Sequence, residues 1–148
     1  MNVLGIIVSG MIGAVAISMI MALAPRMGMP KMDIVSMLST MFGKPNRTLG
    51  WVMHLMMGIV FALIYAFFWS INLGGATLLN GLIFGSIHWL VVGMIMGMIP
   101  MMHAGIKSGS VQAPGLWMTA NGGAMAFVGG WMGHMVFGVV VVLIYNLF

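Results

Sequence analysis

The chain has 148 residues, of which 62% are hydrophobic, and it carries five Lys or Arg against a single acidic residue, Asp33. Soluble domains are about 25% charged, so water is excluded as the main solvent, and five cations in short connections make no basic face for nucleic acid. With no cysteine there is no disulfide, thiolate metal ligand or thiol nucleophile.

A spanning helix needs about 20 mostly apolar residues. The first stretch of that kind, Val3 to Ala24, has no basic segment before it and is too long for a signal-peptide core, so it reads as a retained span. Between it and the second span, Ile34, Met37, Leu38, Met41 and Phe42 recur at helical spacing, with Asp33, Ser36, Thr40 and Lys44 opposite. Pro30 and Gly43 bound this segment, which is expected to be an amphipathic helix lying flat on the cytoplasmic interface. The second span is Leu49 to Trp69, and a short turn at 70–77 leads to the third, Leu78 to Met101. A glycine-rich stretch with Pro114, 104–124, reads as an irregular re-entrant or surface loop, and the fourth span is Met125 to Leu147.

The expected fold is therefore an all-α integral membrane protein, a single membrane domain over 1–148 with four transmembrane helices and one interfacial helix. Arg26, Lys31, Lys44, Arg47 and Lys107 all fall in the two longer connections. By the positive-inside rule these face the cytoplasm, both termini face outward, and the location is the cell inner membrane. Trp51 and Trp131 would mark the inner interface, and Tyr65, Trp69 and Tyr145 the outer one.

The second and fourth spans share Gly50-Trp51-x-x-His54-x-x-x-Gly58-x-Val60-x-x-Leu63-Ile64-Tyr65 with Gly130-Trp131-x-x-His134-x-x-x-Gly138-x-Val140-x-x-Leu143-Ile144-Tyr145, eight of sixteen positions without a gap. The first and third spans echo each other in Met19-Ile20-Met21-x-x-x-Pro25-x-Met27 and Met94-Ile95-Met96-x-x-x-Pro100-x-Met102. The unit is a helical hairpin, 1–69 and again 78–148, whose copies begin on the same side and so form parallel repeats about a pseudo-twofold along the membrane normal. Pro30-Lys31-Met32-Asp33-Ile34-Val35-x-Met37-Leu38, the Gly50-Trp51-x-x-His54 that opens a span, and His134-x-x-x-Gly138 resemble an uncharacterised family of small four-span bacterial and archaeal membrane proteins. The resemblance implies this topology and no activity.

His54 and His134 are expected at equivalent depth, with Gly58 and Gly138 one turn on leaving space above each imidazole. Converging at the axis, the pair would hold haem or a metal through neutral imidazole nitrogens. The plainer reading is helix packing, each histidine hydrogen-bonded to a neighbour and each glycine permitting close approach. Among the 21 methionines, Met94, Met98 and Met101 share a face that leads to His103, a ladder of soft ligands suited to copper, or else simple filling of apolar volume. His88 reads as packed against a partner helix and Asp33 as a helix-start anion. A lone carboxylate supports no acid–base pair, so an enzyme is not expected.

The function expected is a non-catalytic subunit or cofactor- and ligand-holding module of a larger membrane complex, with the lipid bilayer and other membrane subunits or a second copy as partners. The alternative is a soft-metal, copper-handling permeation or storage protein. The topology makes a direct prediction: a reporter fused at Phe148 is active when it needs the outer compartment and silent when it needs the cytoplasm. Cytoplasmic activity at that position reverses the assignment.

Overall fold

The computed structural model describes residues 1–148, the side chain of Asn121 excepted. The elements are α1 (Val3–Leu23), α2 (Ile34–Ser39), α3 (Arg47–Ser70), α4 (Leu78–Met96), α5 (Ala104–Lys107) and α6 (Gly123–Tyr145), with 3₁₀ turns at Ala24–Met27, Ile99–Met101 and Leu116–Asn121. Four helices, counted with the 3₁₀ turns that extend α1 and α4, are long and apolar enough to cross a membrane: Val3–Met27, Arg47–Ser70, Leu78–Met101 and Gly123–Tyr145. Local sequence starts most of them. Asn2, Asp33, Asn46 and Thr77 each accept a backbone N–H in the first turn of the helix they precede, satisfying donors that the helix itself leaves open.

Helices this apolar associate closely where small residues let their backbones approach. Glycines provide that approach. A Cβ on Gly10 would lie 2.6 Å from the Gly58 carbonyl oxygen, and Gly58 in turn rests on Gly10 and Ala14, so α1 and α3 touch backbone to backbone. Gly81 and Gly85 of α4 meet Gly138 and His134 of α6 in the same way. Between α1 and α6 the notches are filled instead by side chains, Phe137 and Val141 against Gly13, and Ile17 and Met21 against Gly133. Close neighbours therefore run α3, α1, α6, α4, each antiparallel to the next, and α3 and α6 point the same way.

The two ends of that series, α3 and α4, are held apart and meet through aromatic side chains. Phe61 stacks on His88 at 3.5 Å between ring centroids, Tyr65 lies 5.2 Å from Phe84, and Trp69 lies 6.2 Å from Phe84. Tyr65 is thereby 2% exposed, which corrects its expected place in an interfacial belt. The bundle's terminal end is tied separately: Asn2 donates through Nδ2 to the Phe148 carbonyl, and Asn146 donates through Nδ2 to the Ala76 carbonyl of the short turn.

At the opposite end the two longer connections dock on each other. The helix expected to lie flat is only six residues long and is tucked under the bundle, where it packs on the start of α3 and buries Val35, Leu38 and Met37, the last against Val92, Met96 and Ile99, while Phe42 is 73% exposed. The reason is hydrogen bonding. Thr40, expected on the polar face, is buried and donates its hydroxyl to the Met37 carbonyl; Ala104 and Gly105 donate their N–H groups to Met41 and Thr40. His103 donates through Nε2 to the Met37 carbonyl at 2.9 Å and accepts the Ile106 N–H at Nδ1. The C-terminal carbonyls of α2 are thus answered by the second connection.

That second connection is packed rather than loose. Trp117 fills the notch at Gly93 and donates through Nε1 to the Leu90 carbonyl. Trp117 and Met118 adopt left-handed backbone, with φ of 48° and 57°, a conformation that costs non-glycine residues about 1–2 kcal/mol each and that the packed side chains must offset. The packing makes a prediction. Gly58→Val should lower stability in detergent by about 1–3 kcal/mol or more, as overpacking does, whereas Gly75→Ala, with nothing within 4 Å, should leave it unchanged. Equal unfolding midpoints for the two variants would count against backbone contact as the basis of the bundle.

Candidate functional site

The space left between α3 and α4 is a chamber of about 70 Å³. Histidines from three helices line it: His54 of α3, His88 of α4 and His134 of α6. Phe61, Trp89 and Phe137 form aromatic walls, and Met57, Met96 and Met118 line the same space. Met118 reaches the chamber from the second connection and Ile34 from α2, so the docked connections close its lower end.

Each ring is fixed through one nitrogen. His54 donates through Nε2 to the Ala14 carbonyl across the α1–α3 contact at 3.2 Å. His134 donates through Nδ1 to the Gly130 carbonyl of its own helix at 2.7 Å. A carbonyl can only accept, so these nitrogens carry the protons, and in the neutral ring the other nitrogen is a lone-pair donor toward a ligand. His88 Nδ1 lies 3.2 Å from the Tyr65 hydroxyl in a hydrogen bond, and its ring meets His134 edge-on at 4.6 Å between centroids. Holding one imidazole nitrogen with a carbonyl or hydroxyl while the other stays free is how proteins prepare histidine to bind a metal or a hydrogen-bond donor.

Three polar atoms on the chamber's lining residues are buried with no partner among the described residues: His54 Nδ1, Ser18 Oγ and Trp89 Nε1. Such atoms ordinarily find a partner in folded proteins. The chamber adjoins a second, larger cavity of about 240 Å³ at the loop end, lined among others by Lys31, Asp33, Arg47 and Trp51, and the two share Ser18 and Ile34.

His54, His134 and Gly58 line one cavity, and Gly138 does not. Gly138 is taken up by contact with Gly81 and Gly85, whereas its counterpart Gly58 contacts Gly10 and Ala14. On the echo between the first and third spans, Gly10 corresponds to Gly85, so the second hairpin is packed one helical turn out of step with the first. The space expected above His134 is filled by backbone. The sequence does not point to His88, Tyr65, Ser18 or Trp89 as site residues: His88 reads as packed against a partner helix, Tyr65 as an interfacial anchor that ends the repeated phrase, and Ser18 and Trp89 carry no ligand motif.

Met94, Met98 and Met101 are 58%, 61% and 74% exposed on the outside of the bundle, while His103 is 0% exposed with both ring nitrogens in backbone hydrogen bonds. The ladder and its expected end point are not brought together. Nor does haem fit the paired histidines, because about 70 Å³ holds a few water-sized particles while sites for organic ligands run to roughly 300–1,000 Å³. Among the described residues, no three side chains of the His, Cys, Asp or Glu kind stand ready as a metal cluster. Compared with protein families, with characterised proteins and with solved structures, the chain matches none.

Asp33 guards the loop-end cavity. Partial burial pushes its carboxyl up, but the Ser36 N–H and hydroxyl, at 2.9 and 2.8 Å, together with Lys31 and Arg47, outweigh burial and hold it below the usual carboxylate range. A lowered folded-state value means that the carboxylate stabilises the fold above its unfolded value, and that this is lost as pH falls through the lowered one. Asn caps a helix as well as Asp does. Asp33→Asn keeps the cap but not the charge, so it should be less stable than the wild type near neutral pH and converge with it below about pH 4, as followed by thermal unfolding in detergent; parallel curves down to acid would show that Asp33 contributes through its cap alone.

Proposed function

We propose that this chain is a multi-pass membrane module that holds a small ligand in the chamber between α3 and α4, as a non-catalytic component of a membrane assembly. One observation carries the reading: the His54 ring is anchored to Ala14 through Nε2 while its Nδ1, buried on the same cavity, has no partner. A histidine used only for packing would satisfy both nitrogens or stay out of the interior, as His103 does the former. The four apolar helices support membrane residence, with the loop end on the cytoplasmic side by the distribution of cations. The parallel-repeat reading rests on the repeated sequence and on α3 and α6 pointing the same way; a strict twofold would also set α3 against α4 as α1 is set against α6, and those two helices meet only through side chains.

The test is mild purification from native membranes followed by native mass spectrometry and elemental analysis, for the wild type and for His54→Leu. The wild type should carry a non-lipid ligand at near-stoichiometric amount, and the variant should be inserted but empty. Identical masses for the two, with no ligand in either, reduce the chamber to hydrated packing space and overturn the proposal.

A further inference from the structure

The chemistry of the chamber wall narrows the ligand. Resting on the ligand-holding reading above, we infer that the chamber takes a soft monovalent metal cation of the Cu(I) or Ag(I) type, held by His54 Nδ1, His134 Nε2 and thioether sulfur from Met57, Met96 or Met118. The inference starts from what the wall offers. His54 Nδ1 is buried on the chamber with no partner among the described residues, His134 lines the same space with its Nδ1 held by the Gly130 carbonyl, and three sulfur-bearing residues border it. Imidazole and thioether together select soft ions; hard cations want oxygen ligands.

Charge sets the valence. The chain's single carboxylate, Asp33, lines the loop-end cavity and not the chamber, so every ligand in the chamber is neutral. A divalent ion there would meet a desolvation cost about four times that of a monovalent one, since the Born cost grows with the square of the charge, and would find no counter-charge. Size agrees, because about 70 Å³ suits a bare ion bound by two or three ligands and no organic cofactor. The set also differs from the exposed methionines: Met94, Met98 and Met101 face outward, and Met96, between them in sequence, is 4% exposed and faces in.

The test uses full-length protein in detergent, stripped with a chelator and titrated with Ag(I), and with Cu(I) against a chromophoric competitor, in the presence of reductant. One ion should bind per chain, with X-ray absorption reporting both nitrogen and sulfur in the first coordination sphere. His54→Leu and His134→Leu should each weaken binding by about tenfold or more. Because these variants can also disturb the bundle, Met57→Leu and Met118→Leu, which keep volume and remove only sulfur, should weaken binding and change the absorption edge while eluting as the wild type does in size exclusion. The triple variant of Met94, Met98 and Met101 to Leu should bind as the wild type does.

Binding that survives every chamber substitution but is lost in the triple variant overturns the inference, as does displacement of a native ligand by methylammonium and not by Ag(I). In that last case an organic or ammonium-type ligand occupies the chamber, and the ligand-holding reading stands without the metal. If neither ion nor amine binds and the native protein carries nothing, both fail together.

Discussion

Contact between glycine backbones is the constraint on which the rest of this structure depends. Were its surroundings lipid, as proposed, a helix would gain little by hiding leucine or methionine, and the forces left would be packing and polar contacts. Gly10 on Gly58, and Gly81 and Gly85 against α6, bring two helix pairs to backbone distance. A polypeptide that packs that tightly at two seams leaves slack at another. Here the slack falls between α3 and α4, where aromatic rings bridge the distance and enclose the chamber.

The polar groups are arranged around that slack. His54 reaches back across a tight seam to the Ala14 carbonyl, and His134 is braced by its own helix, so rigid backbone sets the angle of each ring. His88 takes its orientation from Tyr65, itself enclosed by Trp69, Phe84 and Phe137. Below, α2 and the second connection serve as a floor, with His103 as the bolt between them: its two nitrogens join the end of α2 to the start of α5.

Much of this was legible in sequence. The four spans fell within a few residues of the observed helices because apolar length is a strong signal, and His54, Gly58 and His134 stood out because a repeated phrase marked them. What was not legible depended on where neighbours come from. Gly138 reads like Gly58, yet a one-turn slide of the second hairpin gives it a different partner. Tyr65 reads like an interfacial anchor, and only the gap between α3 and α4 draws it inward to His88. The helical periodicity of 34–42 was real for Met37 and Leu38, but it could not show that Thr40 would be buried by hydrogen bonds to a connection more than sixty residues away. For the methionines of the spans, spacing did not tell which face inward, since the face shared by Met94, Met98 and Met101 is the exposed one. Which of them face the chamber is decided by Met96 turning inward on α4 and by the left-handed backbone that delivers Met118.

Phe61 bears on how fast a ligand of the proposed kind would pass in and out of the chamber by the α3–α4 seam. It lines the chamber, is half-buried, and stacks on His88 at the one seam where no backbone closes the wall. Opening there requires a ring to leave its rotamer, not a helix to move. Side-chain flips are far faster than the microsecond-to-millisecond motions of packed helices, so residence time in the chamber would be governed by how tightly the occupant is bound and by the swing of a single benzyl group. A bundle locked by glycine can in this way be rigid in its frame and quick at its door.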